Sequence, residues 1–301
     1  MIAVTILGNN SAVPAFDRHP TSQVLTMAAR NFLIDCGEGT QIQLIRYKIR
    51  RSRISHIFIS HLHGDHYFGL IGLINSFALL GRQQELTIVA PEALQEIIAL
   101  QLKVADTRLC FDLKFIPITQ SGPLLKLNDV EVTCFRTDHR IECYGFVFKE
   151  LRNPRRLDPQ KVKANNIPIS FYDNLQRGED YKDDQGNTIA NDLLTVAAPA
   201  PKSYAFCADT RYDERILEYI SGADLIYHET TYHDALAEMA TARFHSTTKQ
   251  AGKIAQLAGV KKMLIGHFSS KYDTLDEFET ETREVFSNTD LALEGVSYLM
   301  P

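Results

Sequence analysis

No run of the 301 residues stays apolar for the roughly 18 positions that a membrane-spanning helix needs, so the expectation is a soluble chain with no membrane partner. Cysteine is scarce and scattered: Cys36, Cys110, Cys134, Cys143 and Cys207 are odd in number and form no CxxC pair. That pattern argues against a disulfide framework and against cysteine metal ligands. With no signal-peptide pattern at the start, it leads to the expectation of a reducing cytoplasm. Positive charge is not in excess either. A net charge of −5 carries no global signature of nucleic-acid binding, although a pair of Zn²⁺ ions would add about +4 where a phosphate has to bind. Nor does any serine or cysteine stand in a GxSxG elbow, which leaves an activated water as the nucleophile of any hydrolytic reaction. What remains is an ordinary globular composition, 45% hydrophobic and 23% charged, at a length that one α/β sandwich domain can reach undivided.

Against that background one segment stands out. His61-Leu62-His63-Gly64-Asp65-His66 packs three imidazoles and a carboxylate into one turn. Upstream, His56-Ile57-Phe58-Ile59-Ser60 reads as a buried strand; downstream, Gly69-Leu70-Ile71-Gly72-Leu73-Ile74 begins an apolar helix. A strand that delivers such a cluster into a loop is suited to divalent metal. His61 and His63, two apart, can grip one ion while Asp65 and His66 turn toward a second. Borderline ions such as Zn²⁺ favour imidazole and carboxylate, and a catalytic site leaves one position open for water.

Elsewhere, strands are expected at 2–7, 31–34, 86–90, 110–115, 130–135 and 144–148, and helices over 41–49 and from Pro91 in the first turn through Leu102. Strand–helix alternation resumes at Ser203 and continues to the end. Residues 151–200 change character, with several prolines, many charges and the turn-like Asp183-Asp184-Gln185-Gly186-Asn187. They read as a protruding insertion with a hairpin around Gly186, or as a floppy surface loop; loops of this length inside a domain are usually functional or disordered. Further ligand candidates end apolar strands: His139 in Thr137-Asp138-His139-Arg140, Asp209 in Phe206-Cys207-Ala208-Asp209-Thr210, and His267 after Met263-Leu264-Ile265-Gly266. Asp209 could bridge two ions. His245 precedes a helical stretch, 247–257, and Glu229 and His228 follow a strand from which they could orient it.

Taken together, these segments resemble the metallo-β-lactamase-fold hydrolases and, within them, the ribonuclease Z family of tRNA 3′-end endonucleases. The resemblance takes in Leu7-Gly8, Pro14-Ala15-Phe16-Asp17-Arg18, Leu33-Ile34-Asp35-Cys36-Gly37-Glu38-Gly39-Thr40 and the His61–His66 loop. It continues through Thr137-Asp138-His139-Arg140, Ala208-Asp209-Thr210-Arg211, His228-Glu229-Thr230-Thr231, His245-Ser246-Thr247 and His267-Phe268-Ser269-Ser270-Lys271-Tyr272. It implies an α/β fold: a four-layer αββα sandwich spanning residues 1–301 as one domain, with 151–200 as an inserted arm that grips tRNA. It further implies two Zn²⁺ per subunit, with Mn²⁺ or another divalent ion as substitutes. One would be held by His61, His63 and His139, the other by Asp65, His66 and His267, with Asp209 between them. Asp65 would act as general base and His245 would protonate the leaving group, while a metal-activated hydroxide attacks precursor tRNA to leave 3′-hydroxyl and 5′-phosphate ends. A homodimer is implied as well.

The sequence departs from the family in three places. Asn9-Asn10-Ser11-Ala12-Val13 replaces a glycine-containing loop, Ala208 stands where glycine is usual, and the arm lacks a Gly-Pro signature although Leu175-Gln176-Arg177-Gly178-Glu179 matches its Leu-x-x-Gly-Glu segment. The basic run Arg46, Lys48, Arg50, Arg51 and Arg53 reads as a solvated helix end or as a phosphate contact. The alternative activity on the same scaffold is a phosphodiesterase or arylsulfatase-like hydrolase of small substrates, which would not need the arm.

Overall fold

Several strands are apolar at nearly every position, which requires partners on both faces. In Arg30–Cys36, Phe32 and Ile34 point one way and Leu33 and Cys36 the other, and all four are fully buried. The computed structural model, which describes residues 2–151, 154–198 and 200–301, shows where the two faces go. Met1, Arg152, Asn153 and Pro199 lie outside the described residues.

Two seven-stranded sheets carry the body of the chain. The first runs, edge to edge, Ser297–Leu299, Ala3–Gly8, Ser22–Met27, Arg30–Cys36, Ile54–Phe58, Leu86–Pro91 and Leu113–Ile118. The second runs Thr289–Leu291, Lys262–Gly266, Leu225–Glu229, Ser203–Cys207, Tyr144–Glu150, Val130–Arg136 and Gly122–Lys126. Between them lies an aromatic-rich core to which the first sheet contributes Phe32, Ile34 and Phe58 and the second Phe146, Tyr204, Phe206 and Tyr227. The reverse face of the first sheet packs Leu33, Ile57 and Ile88 under Leu70–Leu79 and Ala93–Val104. The reverse face of the second packs Ala205, Ile226 and Met263 under Thr248–Ala258 and Asp276–Arg283. Helix, sheet, sheet, helix is the four-layer sandwich expected from the sequence. Truncating one of the central phenylalanines to alanine is expected to cost about 3–5 kcal/mol.

Several boundaries shift from expectation. Pro91 pairs with Ile118 at the end of its strand and the helix begins at Ala93, so the proline closes a strand rather than opening a helix. The helix expected over 41–49 stops at Arg46, shortly before Lys48 turns to a φ of 56°. The strand expected at 110–115 lies at Leu113–Ile118. The strands Ser22–Met27 and Gly122–Lys126 lie outside the segments for which the sequence predicts strands.

The chain divides into two compact units, of which Glu150–Pro201 is the smaller. It is a folded unit and not a floppy loop: Val162, Ile167, Leu175 and Leu194 form its own buried core. Asp158 caps the helix Pro159–Ala164 by accepting from Gln160 N and Lys161 N, both at 3.1 Å. Tyr181–Lys182 pairs with Thr188–Ile189 in the expected hairpin, where Gly186 supplies a φ of 85° and Asp183 accepts from Gln185 N and Asn187 N. Among the described residues, no helix is long and apolar enough to cross a membrane.

Candidate metal centre and active site

The carboxyl ends of the body's strands deliver the chemistry, as they do in other open α/β sheets. His61 follows Ile54–Phe58, His139 follows Val130–Arg136, Asp209 follows Ser203–Cys207, and His267 follows Lys262–Gly266. Their ligand atoms converge. One group comprises His61, His63, His139 and Asp209, a second Asp65, His66 and His267, and a third Asp209, His245 and His267; within each, the ligand atoms lie within 4.8 Å of one another.

The spacing suits small divalent ions. Tetrahedral Zn²⁺ with bonds of 2.0–2.1 Å places its ligand atoms about 3.3 Å apart. In the first group His63 Nδ1 lies 3.1 Å from both His61 Nε2 and His139 Nε2, and Asp209 Oδ2 lies 3.7 Å from His61 and 3.9 Å from His139. In the second, His66 Nε2 is 3.3 Å from His267 Nε2, and Asp65 Oδ2 is 3.5 and 3.4 Å from the two. Asp209 presents its other oxygen, Oδ1, at 3.3 Å from His267, so one carboxylate serves both groups.

The outward bonds of the imidazoles select the tautomer that a metal requires. His61 Nδ1 lies 3.0 Å from Ser60 Oγ, His66 Nδ1 2.7 Å from Asp35 Oδ2, His139 Nδ1 3.0 Å from the Phe244 carbonyl, and His267 Nδ1 2.9 Å from Thr231 Oγ1. With Nδ1–H committed outward, each Nε2 offers a lone pair inward. His63 alone points Nδ1 inward, and its Nε2 lies 3.1 Å from the Arg140 guanidinium. The loops carrying His139 and Asp209 are laced together: Arg211 donates to both oxygens of Asp138 at 3.0 Å, and Thr137 Oγ1 donates to the Asp209 carbonyl at 2.8 Å.

Charge gives a second test of fit. Burial pushes the carboxyls of Asp65 and Asp209 upward, but His66 and His267 outweigh it and hold both groups well below the usual range. Burial alone would lower His66, yet Asp209, Asp65 and Asp35 drive it well above an ordinary histidine. The carboxylates of Asp65 and Asp209 therefore call for cationic charge at the centre, which a divalent ion would supply while leaving the imidazoles neutral. The donor set of imidazoles and carboxylates without sulfur fits Zn²⁺ and accepts Mn²⁺.

His245 stands beside the cluster. Its Nδ1 lies 2.9 Å from Glu229 Oε1, and Glu229, fully buried, also accepts from Thr210 N, Ser246 N, Thr231 N and Thr231 Oγ1. Burial depresses an imidazole, but the Glu229 carboxylate, with Asp209 and Asp65 behind it, raises His245 to about 9. Downstream, Thr247 and Gln250 form a reciprocal capping box at the start of Thr248–Ala258, which fixes the chain direction just after His245. His228 does not orient His245: its Nδ1 bonds instead to the Glu229 carbonyl at 2.7 Å.

Asp35 stands in a motif whose sequence alone assigns it no role at the centre. It is fully buried, accepts from Ser60 N at 2.8 Å and Ser60 Oγ at 2.9 Å, and holds His66. The signal was present, a carboxylate inside the otherwise apolar Phe32-Leu33-Ile34 strand. Asp35, His267 and Ala12 adopt φ values of 55°, 61° and 64°, left-handed conformations costing about 1–3 kcal/mol each. Ala12 lies in the loop that departs from the family pattern, and its N–H donates to Asp65 Oδ2 at 2.8 Å. The backbone there adopts a conformation that glycine would favour, and the Asp65 carboxylate gains a donor from it.

Fold and centre together define a metallo-β-lactamase-fold protein with a cluster of histidines and aspartates suited to divalent metal. The human short-form tRNase Z crystal structure superposes with a TM-score of 0.72 at 24% identity, covering 99% of each chain. A diphosphatase of the PhnP family superposes with a TM-score of 0.65 at 16% identity, covering 100% of this chain and 98% of that one. A family model described as anti-Pycsar protein Apyc1 matches residues 2–155, which include the His61–His66 loop and His139 but not Asp209, His245 or His267. Full-length similarity is more specific. Ribonuclease Z of Bacteroides fragilis (strain YCH46) is 39% identical over 293 residues, 97% of this chain and 96% of the relative. Ribonuclease Z of Cytophaga hutchinsonii is 41% identical over 297 residues, 97% and 94%. The chain belongs to the ribonuclease Z family.

Proposed function

We propose that this protein is an endoribonuclease that removes the 3′ trailer from precursor tRNA, leaving 3′-hydroxyl and 5′-phosphate ends, with two Zn²⁺ per subunit at the centre described above. The observation that carries the reading is the convergence of seven imidazole and carboxylate side chains beside a His245–Glu229 pair, in a chain whose relatives over 97% of its length include ribonuclease Z. His61, His63 and His139 would hold one ion, Asp65, His66 and His267 the other, and Asp209 both. When bound, such a pair lowers the pKa of water and stabilises charge on the attacking and leaving oxygens of a phosphodiester. Asp65, the least buried of the carboxylates at the centre, accepts the proton of the attacking water. His245, kept protonated by Glu229, donates from its remaining nitrogen to the leaving oxygen.

The arm, residues 151–200, is the tRNA-gripping element in this reading, and the enzyme works as a homodimer in the cytoplasm. Ile42 and Ile45, both 60% exposed and three residues apart on one helix, offer an apolar face for subunit pairing, which sedimentation tests directly. The test of function incubates zinc-loaded protein and an Asp65→Ala variant with a trailer-bearing precursor tRNA and with bis(p-nitrophenyl) phosphate. A cut just after the discriminator nucleotide, abolished in the variant, supports the reading. Hydrolysis of the small diester with the tRNA left intact keeps the metal chemistry and overturns the substrate, in favour of a small-phosphodiester hydrolase.

A further inference from the structure

Phe68 is an apolar side chain in an expensive place. It lies two residues beyond His66, it is 62% exposed, and it lines the pocket of about 340 Å³ that opens onto Asp65, Asp209, His245 and His267. Among the described residues, no other carbocyclic aromatic ring lines this pocket. The ring is seated. A methyl group built on Gly64 would fall 2.2 to 2.6 Å from three of its carbons, so the bare Cα of Gly64 is what lets it lie there. Phe68 N donates to the Gly64 carbonyl at 2.9 Å, and Tyr67 meets the ring edge-on with centroids 5.0 Å apart. One side of the ring is therefore pinned against the metal loop while much of it stays open to solvent.

Resting on the reading of the centre as an RNA phosphodiesterase, we infer that Phe68 is a stacking platform for a nucleobase flanking the scissile phosphate. A ribonuclease that cuts single-stranded trailers of varied sequence needs a contact that every base can make, and an aromatic face provides one. Because Gly64 holds the ring beforehand, little side-chain freedom is lost when a base arrives. The ring lies beside the metal ligands, so a base stacked on it fixes the phosphate next to it in the chain. Phe68 is thus a positioning residue, in contact with the base and not with the reacting atoms.

The experiment measures KM and kcat of the zinc-loaded enzyme on three precursor tRNAs: an intact one, and two with an abasic nucleotide immediately 5′ or 3′ of the cut. Wild type is compared with Phe68→Ala, Phe68→Leu and Phe68→Tyr, each with its zinc content measured. Leucine keeps apolar bulk without a ring, and tyrosine keeps the ring. The expected result for Phe68→Leu on intact substrate is a KM raised about 5- to 150-fold, the usual worth of one stacked base. The same substitution has little effect on whichever abasic substrate lacks the stacked base, and Phe68→Tyr restores the wild-type KM. If wild type cuts intact precursor tRNA but Phe68→Leu matches it on all three substrates, or loses equally on all three, the platform is refuted and the functional reading stands. If wild type leaves the intact precursor uncut, both fall.

Discussion

In the metal centre, each imidazole except His63 makes an outward bond from Nδ1, to Ser60, Asp35, the Phe244 carbonyl or Thr231, and offers Nε2 inward. In the arm, Glu150–Pro201, four buried apolar residues hold together a surface on which Lys161, Lys163, Lys182 and Asp184 are exposed. The centre is thus a set of imidazoles each oriented by a hydrogen bond with a neighbour, and a change at one is felt by the next. The arm is a small core with a surface that can change its charge without unfolding. In the proposed reading, catalytic chemistry belongs to the first kind of region and adjustable substrate recognition to the second.

The sharpest way to break that division is to remove one carboxylate from the centre. Asp65→Ala is expected to lower kcat by about 10²–10⁴-fold on both precursor tRNA and bis(p-nitrophenyl) phosphate; an effect on only one substrate would erase the distinction. Replacing residues 155–195 by a short linker is expected to cut kcat/KM on precursor tRNA at least tenfold while the small diester is hydrolysed as before. Asp35→Asn keeps the shape but weakens the acceptor at His66, and titration should find the zinc affinity lowered about 10–100-fold. Leu175→Ala removes a fully buried side chain from the arm's core at a cost of about 2–5 kcal/mol. Proteolysis should show the damage confined to the arm, with zinc content unchanged.

The smallest effect concerns pH. Glu229 raises His245, and His245 donates a proton only below its own pKa, so activity declines as pH rises through that value. Removing the carboxylate lowers the pKa, so in Glu229→Gln the alkaline limb of kcat moves to lower pH. An unmoved limb would mean that His245 is not the acid.

The candidate ligands are legible in the sequence because they cluster in one loop or stand at the ends of apolar strands, and jointly they supply the number and types of ligand that metal needs. His61, His63, Asp65, His66, His139, Asp209 and His267 all converge as their types and positions suggest. The outward partners were harder to see. Thr231 looks like any loop threonine until folding places its hydroxyl between Glu229 Oε2 at 2.8 Å and His267 Nδ1 at 2.9 Å. His228, which sequence proximity suggested as an orienting group, alternates with Glu229 along one strand and so faces away from His245. Inside the arm, Tyr181–Lys182 and Thr188–Ile189 are only two residues each, too short for any periodicity to register. The hairpin was legible from its turn alone, through Gly186.

The proposed function rests on one constellation that would hold two cations, with Asp209 shared between them. The most direct measurement is the stoichiometry of Zn²⁺ bound to the purified metal-depleted chain on titration, compared with Asp209→Ala. Two ions per chain in the wild type, with both weakened together in the variant, is the predicted result. A single ion at saturation, or an Asp209→Ala variant that still binds two with undiminished affinity, would contradict it.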